Sequence, residues 1–422
     1  MTPSRDPAAA SPHAGMSFTQ FVALMAALMA TNALAIDTML PALPVIGDAI
    51  GITTENHRQW IVTAYLLGFG GAQIFYGTLA DRYGRRPVLL FGLALYAASS
   101  AMAALAGSLE MMIATRVLQG VGAAATRVLA ISIVRDCYAG RQMARVMSLT
   151  FIVFLAVPIF APSIGQLIML VAPWPAIFLS LAVFGTLVMA WAALSLPETL
   201  HPEDRLTIAP GRIVQAFRIA LTNRQAVGYM LATTLVIGAL FGYINSVQQL
   251  FADVFHRPHL FPIVFGFTAV FIAISSLLNS RIVERLGMHR VSHTALLGYV
   301  AVAVLHACAA WAGYESLWLF VLLQSMMMFC FGLVASNFGA MAMEPLGHIA
   351  GTASSVQGFV TTFGGALLGF MVGQHFDGTA RPMTTGFAVL GLGALAIVLA
   401  TERGRLFRST PAGTAGVRAL AA

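Results

Sequence analysis

Charged side chains are scarce in this sequence of 422 residues. They make up 9% of the chain, whereas a soluble domain carries about 25%. Hydrophobic residues make up 59%, and the mean hydropathy is +0.83. So few charges cannot cover that much apolar surface in water. The composition excludes a soluble enzyme, a secreted disulfide scaffold and a disordered regulator, and it indicates an integral membrane protein.

Lysine is absent and cysteine is rare. All 23 basic residues are arginine, so a Walker-type phosphate-binding loop, which contains lysine, cannot occur, and ATP hydrolysis by that route is excluded. The cysteines are Cys137, Cys308 and Cys330, and their spacing matches no metal site. Cys308 and Cys330 lie in apolar runs and fit small packing residues. Since no zinc motif or nucleophile elbow occurs either, we expect no metal, no cofactor and no enzymatic activity.

Long apolar runs, by contrast, recur along the whole chain. A helix needs about 20 apolar residues to cross a bilayer, and twelve stretches have roughly this length. We predict an all-α membrane protein in which twelve transmembrane helices form two pseudo-symmetric six-helix bundles around a central cavity. The predicted spans are 18–41, 58–80, 87–106, 110–133, 145–169, 175–196, 225–250, 261–283, 292–312, 316–341, 349–373 and 384–402.

The arginines are distributed unevenly between the two sides of the membrane. If both termini are cytoplasmic, 18 of the 23 arginines fall in cytoplasmic segments, 3 in outer loops and 2, Arg116 and Arg127, inside spans. This bias predicts a multi-pass protein of the bacterial cytoplasmic (inner) membrane with both termini inside. It also accounts for the net charge of +7 without nucleic acid. An alternative is that 21–30 is a signal-peptide core with a cleavage site at 33–35.

A weak internal repeat divides the spans into two sets. The loops 77–86 and 280–289 correspond at an offset of 203, Gly165 and Gly369 at 204, and Gln119 and Gln324 at 205. Such repeats are typical of secondary transporters, whose substrate site lies between the halves near the bilayer midplane. The predicted units are a cytoplasmic tail 1–17, a bundle 18–196, a cytoplasmic linker 197–222, a bundle 223–402 and a cytoplasmic tail 403–422.

The loop between the second and third spans carries the most specific motif. Gly77 and Gly84 permit a tight turn between close helices, and Asp81 can interact with the positive end of a facing helix dipole. The small residues that follow Gly351 would let span 11 approach closely enough. Such a contact would hold two rocking bundles in one conformation, unless the segment is only a generic basic loop. We call this loop the inner latch; its residues are Gly77, Asp81, Arg82, Gly84, Arg85 and Arg86.

The sequence resembles a known family at these residues. The segment 77–87 reads GTLADRYGRRP and is similar to the signature loop of the major facilitator superfamily. The segment 116–124, RVLQGVGAA, resembles that superfamily's motif in span 4, which proton-driven members share. Its antiporter motif in span 5 is similar to the segment that holds Pro158, Ala161, Pro162 and Gly165. Segments 36–44 and 347–355 resemble the Bcr/CflA-type drug efflux subfamily. The resemblance implies a major facilitator fold and an exporter that exchanges protons for drug-like molecules.

Asp37 is the acid that we place well inside a span. An acid there costs about 2.5–3.5 kcal/mol on insertion scales and indicates function. Asp37 lies about one turn from the outer end of span 1, and Arg116 about two turns from the outer end of span 4, so the two can meet at similar depth. We predict that Asp37 accepts the transported proton and that Arg116 is its electrostatic partner. The alternatives are a fixed structural ion pair and a wet Asp37 at the membrane interface.

Other polar residues inside the spans are candidates for a substrate cavity, each with interhelical packing as the alternative. Arg127 either lines the inner part of the cavity or reaches the headgroups, and Gln119 shares the helix face of Arg116. A deformable apolar cavity rich in Phe and Met suits amphipathic molecules of varied shape. The candidates are Asn32, Tyr65, Gln119, Arg127, Tyr243, Asn245, Gln248, Gln324 and Asn337.

We therefore predict a proton-coupled multidrug efflux transporter that exports small amphipathic antimicrobial compounds by alternating access. Its partners would be the substrate, protons and the lipid bilayer, and we expect no nucleic acid. A monomer would suffice for transport, because one chain supplies a full pathway. One alternative is a proton-coupled exporter of a metabolite such as a sugar or an amino acid. A non-transporting membrane receptor is another, although the sequence predicts no large soluble output domain for it.

Overall fold

The computed structural model describes residues 16–205, 210–314 and 316–407, and the regular elements in these ranges are all helical. The predicted tails 1–17 and 403–422 lie almost wholly outside the ranges. Several helices begin where the sequence offers a cap: the side chains of Ser17, Ser108, Asn223 and Ser316 each accept a hydrogen bond from a backbone N–H of the first turn. Each bond satisfies a donor that has no partner within its helix.

The chain forms fourteen α-helices within the described ranges, of which two are short. In the first half they are α1 (Phe18–Asp37), α2 (Leu43–Ala49), α3 (Gln59–Tyr83), α4 (Arg85–Ala103), α5 (Leu109–Cys137), α6 (Gly140–Val171) and α7 (Pro175–Ser195). In the second half they are α8 (Pro210–Thr222), α9 (Arg224–Gln249), α10 (Phe261–Leu286), α11 (Met288–Trp311), α12 (Leu317–Met343), α13 (Ala350–Gln374) and α14 (Arg381–Thr401).

Each predicted span corresponds to one long helix, and the ends agree to within five residues. Many helices extend beyond the predicted span, because polar residues at the membrane surface end an apolar run without ending the helix. Among the described residues, eleven helices are long and apolar enough to cross a membrane. The twelfth, α3, falls short because it carries Gln59, Thr63 and Gln73, which are buried against other helices instead of facing lipid.

The first span differs from the prediction at its outer end. The sequence predicts one helix over 18–41, but α1 ends at Asp37, and a 3₁₀ turn, Leu40–Ala42, leads into α2. Pro41 and Pro44 lie in the first turns of the two new elements, because proline has no N–H with which to continue the preceding helix. Asp37 is therefore at a helix end rather than inside a helix.

The second part of the predicted linker 197–222 forms the helix α8. This helix packs against α9 and α13. The Phe217 ring of α8 meets the Phe359 ring of α13 edge to face, with the centroids 6.1 Å apart. The connection between the two halves is thus partly a helix that lies against the second half.

The long helices pack in two sets with equivalent arrangements. In the first half α3 packs on α5, α5 on α4, α4 on α7 and α1 on α6. In the second half the equivalent helices make the same contacts: α10 on α12, α12 on α11, α11 on α14 and α9 on α13. Between the halves, α3 packs on α13 and α10 on α6, which are again equivalent pairs. We call the end with the α3–α4 junction the inner end and the opposite end the outer end.

The α3–α4 junction is a single residue, and it requires glycine. Gly84 has a φ of 98°, a left-handed conformation that strains a residue with a Cβ. A Cβ at this position would also overlap the carboxylate of Glu198. Gly287 is the equivalent residue between α10 and α11, with a φ of 79°, but nothing lies within 4 Å of its Cβ position.

This difference predicts that Gly84→Ala lowers the Tm of the purified protein more than Gly287→Ala does. Both substitutions introduce backbone strain of about 1–3 kcal/mol, but only Gly84→Ala also displaces Glu198. The measurement is thermal unfolding in detergent at one fixed scan rate, because unfolding of large proteins is often irreversible. Equal shifts in Tm would contradict a structural role for the Glu198 contact.

Candidate functional site

Asp37 lies at the break after α1, between helices of the two halves. Its side chain is buried, with 4% of the residue exposed. In the described part of the chain no cationic side chain forms an ion pair with it within 4.0 Å. Its charge is close enough to act on the hydroxyl groups of both Tyr65 in α3 and Tyr243 in α9. Asp37 is therefore an uncompensated acid that borders both halves.

The guanidinium of Arg116 on α5 is buried and is held by groups of its own half. Its Nε donates a hydrogen bond to the carbonyl oxygen of Ile61 at 3.0 Å, and its Nη1 donates to Oε1 of Gln119. The guanidinium carbon lies 4.5 Å from the centroid of the Tyr65 ring. Its Nη2 has no hydrogen-bond partner among the described residues, so one donor remains for a further group.

The structure does not bring Asp37 and Arg116 together as an ion pair. Tyr65 connects their surroundings instead: its ring lies under Arg116, and its hydroxyl donates to Oδ1 of Asn32 on α1 at 2.8 Å. The fixed structural ion pair, one of the two alternatives, is absent from the described structure. The role of the two charges in proton coupling stays a prediction.

The predicted antiporter-motif residues lie on α6, which contacts the break after Asp37. Pro158 and Pro162 are inside this helix, where each removes a backbone hydrogen bond. Ala161 is buried. Gly165 packs directly on the carbonyl group of Thr38, which a Cβ would overlap. The α6 helix is therefore in direct contact with the chain segment next to Asp37.

Several of the predicted cavity residues bond to neighbouring side chains in the described structure. Gln119 accepts from Arg116 and donates to Oγ of Ser100 at 2.7 Å. Asn337 donates to Oδ1 of Asn279 at 2.7 Å. The hydroxyl of Tyr243 lies 3.1 Å from that of Thr268. These contacts are those of interhelical packing, which was the alternative for each residue.

Other predicted cavity residues keep polar groups available. Arg127 is exposed. Its guanidinium lies 5.9 Å from the centroid of the Phe69 ring. Gln324 and Asn245 are both buried; neither amide atom of Gln324, nor Nδ2 of Asn245, has a partner among the described residues. Gln248 is likewise buried.

Arg85 is the centre of the inner latch. Its Nη1 donates to Oδ1 of Asp81 at 2.6 Å, and its Nε donates to Oδ2 of Asp136 on α5 at 2.9 Å. The Arg85 side chain is only 5% exposed. A carboxylate of Glu198, which follows α7, accepts from the backbone N–H of Arg85 at 2.8 Å and of Arg86 at 3.2 Å. The carboxylate thus satisfies free donors at the N-terminus of α4 and interacts favourably with its dipole.

The latch differs from the prediction in the partner of Asp81. The sequence suggests the N-terminus of the facing helix, whereas the structure pairs Asp81 with Arg85. Gly77 does face α13, because its Cβ position lies 2.9 Å from Oγ of Ser355. Arg82 is exposed. The ion pairs of the latch therefore lie within the first half, and only the glycine packing crosses to the second.

Several residues with clear structural roles are missing from the sequence prediction. Glu198 and Asp136 complete the latch. Each is an acid at or just past the inner end of a predicted span, and that position is the signal the sequence offers. A second set at the outer end consists of neutral amides on helix termini, for which local sequence carries no signal. Its members are Asn56, Gln59, Gln249 and Gln374.

Two equivalent sets of six long apolar helices, with a buried acid between them, define a polytopic membrane transport protein. A model described as the Major Facilitator Superfamily matches residues 23–369. The chain belongs to this superfamily of transporters. The resemblance found in the loop 77–87 is thereby confirmed, and so is the predicted fold.

Named relatives span most of the chain. It is 31% identical over 380 residues to "Uncharacterized MFS-type transporter YdgK" of Bacillus subtilis, covering 88% of this chain and 93% of that protein. It is 28% identical to "Bicyclomycin resistance protein homolog" of Haemophilus influenzae, covering 87% and 92%. It is 35% identical over 216 residues to "Multidrug resistance protein MdtL" of Shewanella oneidensis, covering 51% of this chain and 53% of that protein.

Solved structures agree in fold. The xylose transporter XylE from E. coli, in a partially occluded inward open conformation, superposes with a TM-score of 0.70 at 14% identity. The superposition covers 93% of this chain and 100% of that one. At this level of identity the similarity concerns the fold alone.

The latch geometry predicts that Arg85→Met lowers Tm by about 5 °C or more, because it leaves two carboxylates without their buried cation. Arg82→Met is the matched control: it makes the same change of charge in the same loop, but at an exposed side chain, and it should shift Tm by less than about 1 °C. Thermal unfolding in detergent measures both. Similar shifts for the two variants would show that the loop responds to charge alone.

Proposed function

We propose that this protein is a proton-coupled multidrug efflux transporter that exchanges protons for small amphipathic antimicrobial compounds by alternating access. The observation that carries the proposal is the uncompensated carboxyl group of Asp37, which is buried at the border of the two halves. A buried carboxylate without a counter-ion is unfavourable in an apolar interior, and binding a proton removes that penalty. Asp37 therefore has the chemistry of a coupling site.

The surroundings of Asp37 support a link between proton binding and the relative position of the halves. The charge of Asp37 acts on Tyr65 in the first half and on Tyr243 in the second. When the halves rock, the distance from Asp37 to Tyr243 changes, and the proton affinity of the carboxyl group changes with it. Arg116 lies in the same half as Asp37, and its Nη2 has no hydrogen-bond partner among the described residues. Asp37 would approach it through a movement of the end of α1 within the first half.

The contact of α6 with the break supplies a mechanical connection in this proposal. Gly165 packs on the carbonyl group of Thr38, next to Asp37, while α6 also packs on α10 of the second half. Pro158 and Pro162 leave α6 easier to bend than an uninterrupted helix. A movement between α6 and α10 would therefore reach Asp37 through Gly165.

The drug-like substrate class is supported by the names of two relatives and by polar groups within the spans. Two of the relatives are named for bicyclomycin resistance and for multidrug resistance. In this chain, Arg127 over Phe69 and the unpartnered amide of Gln324 would offer a cationic contact and hydrogen bonds within apolar surroundings. Such a mixture suits amphipathic molecules of varied shape.

We propose the bacterial cytoplasmic membrane as the location, with both termini cytoplasmic and the arginine-rich inner end facing the cytoplasm. The functional units would be the two bundles 18–196 and 223–402, joined by the linker 197–222, and one chain would form the complete pathway. The proton and the substrate would then use the same central region in alternation.

Asp37→Asn is expected to abolish proton-coupled transport, because the amide keeps the size of the side chain but binds no proton at physiological pH. The measurement uses inverted membrane vesicles, in which addition of substrate to the wild-type protein releases protons that a pH-sensitive dye reports. Asp48→Asn is the control, since Asp48 is an acid of the same first half whose side chain is 71% exposed and paired with Arg58. Fully retained coupling in Asp37→Asn would remove Asp37 from this role.

Expression in a bacterium without its own drug pumps tests the substrate class. We expect reduced susceptibility to several amphipathic antimicrobial compounds, and the reduction should disappear when a proton uncoupler is added. If the protein reaches the membrane and susceptibility to every compound is unchanged, a physiological metabolite such as a sugar or an amino acid becomes the substrate to test.

A further inference from the structure

The outer end of the molecule holds a ring of four neutral amide side chains. Gln59 Nε2 donates to Gln249 Oε1 at 2.6 Å, and Gln249 Nε2 donates to Asn56 Oδ1 at 3.1 Å. Gln374 Nε2 closes the ring by donating to Gln59 Oε1 at 3.2 Å and to the carbonyl oxygen of Asn56 at 2.7 Å. We call these four residues the amide ring.

The amide ring joins the two halves of the chain. Asn56 and Gln59 belong to the first half, and Gln249 and Gln374 to the second. Backbone groups strengthen the connection: Gln59 Nε2 also donates to the carbonyl oxygen of Gly373 at 2.9 Å, and Asn56 Nδ2 donates to those of Gln374 at 3.1 Å and Phe376 at 2.9 Å. Gln59 and Gln249 are almost completely buried. The halves are therefore closed against each other at this end.

Every member of the ring lies at a place where a helix begins or ends. Gln59 is the first residue of α3, and Asn56 is in the 3₁₀ turn before it. Gln249 and Gln374 are the last residues of α9 and α13. A π-helical turn, Leu250–Val254, follows Gln249 directly. Helix ends and π turns are the positions at which a chain changes direction with little disturbance of the rest.

We propose that the amide ring is the outer gate of this transporter, which holds the outer end closed and separates when the outward-facing state forms. Neutral hydrogen bonds suit this task, because water replaces them when the gate opens and the net change in free energy is small. The inference rests on the alternating access of the proposed function. It adds the residues that must part for release at the outer end.

The test measures access to Thr63, which is completely buried one turn below Gln59 on α3 and bonds to Asn245 across the halves. Cys137, Cys308 and Cys330 are replaced by alanine, and Thr63→Cys is introduced as the reporter. A membrane-impermeant maleimide is added to intact cells, and the rate of labelling reports how often the outer end opens.

Gln59→Met keeps the length of the side chain and removes its hydrogen bonds, so we expect labelling of the reporter to rise about five- to tenfold. Gly373→Ala should have the same direction of effect, because its Cβ would displace Oε1 of Gln59 while alanine favours the helix. Gln225→Met is the control: Gln225 is also on α9, but its amide bonds to Met341 and Glu344 of its own half, and labelling should stay at the parent rate.

Unchanged labelling in both Gln59→Met and Gly373→Ala, with a reporter that reacts fully after denaturation, would overturn the gate. An equal rise in Gln225→Met would also overturn it, because the effect would then be general loosening. Labelling requires no transported compound, so the gate can be confirmed even if drug export fails. Conversely, normal drug export with unresponsive labelling would overturn the gate and leave the proposed function standing.

Discussion

The absence of water inside the bilayer is the constraint on which this structure depends. Polar groups that water would satisfy in a soluble protein must find partners within the protein. Most do: Arg85 has Asp81 and Asp136, and the backbone donors at the start of α4 have Glu198. In the described part of the chain, Asp37 is buried and forms no ion pair, and an acid in that position inside a membrane is the basis of the proposal that it binds the transported proton.

The two ends of the molecule hold their helices with different chemistry. At the inner end, the buried guanidinium of Arg85 pairs with two acids of the first half, so removing it would leave both carboxylates unpaired. These pairs therefore keep a local geometry constant. At the outer end, the amide ring joins the two halves through neutral hydrogen bonds, which water can replace. A contact that forms and breaks in every cycle needs this smaller net strength.

The internal repeat preserves geometry more closely than chemistry. Gly84 and Gly287 both have a positive φ at equivalent junctions, and Glu402 follows α14 as Glu198 follows α7. Glu402, however, accepts from the hydroxyl of Tyr229 at 2.7 Å and lies 3.8 Å from Nε2 of His289. The acid after the sixth long helix of each half thus bonds to backbone N–H groups of α4 in the first half and to a tyrosine hydroxyl in the second. The backbone junction needs only glycine, whereas the ion pairs need several residues together, so they diverge more readily.

Local sequence by itself determined the helices, because apolar runs, caps and prolines act on neighbouring residues. The spans, the latch loop and the burial of Asp37 all follow from such local patterns. Tertiary structure alone decided which side chains meet. Asn56 and Gln374 bond to each other although they are 318 residues apart in the chain. Asp81 pairs with Arg85 and not with the N-terminus of the facing helix. Arg116 bonds to Ile61 and Gln119 instead of Asp37. Such pairings depend on how distant helices are placed in three dimensions, and no local pattern specifies that placement.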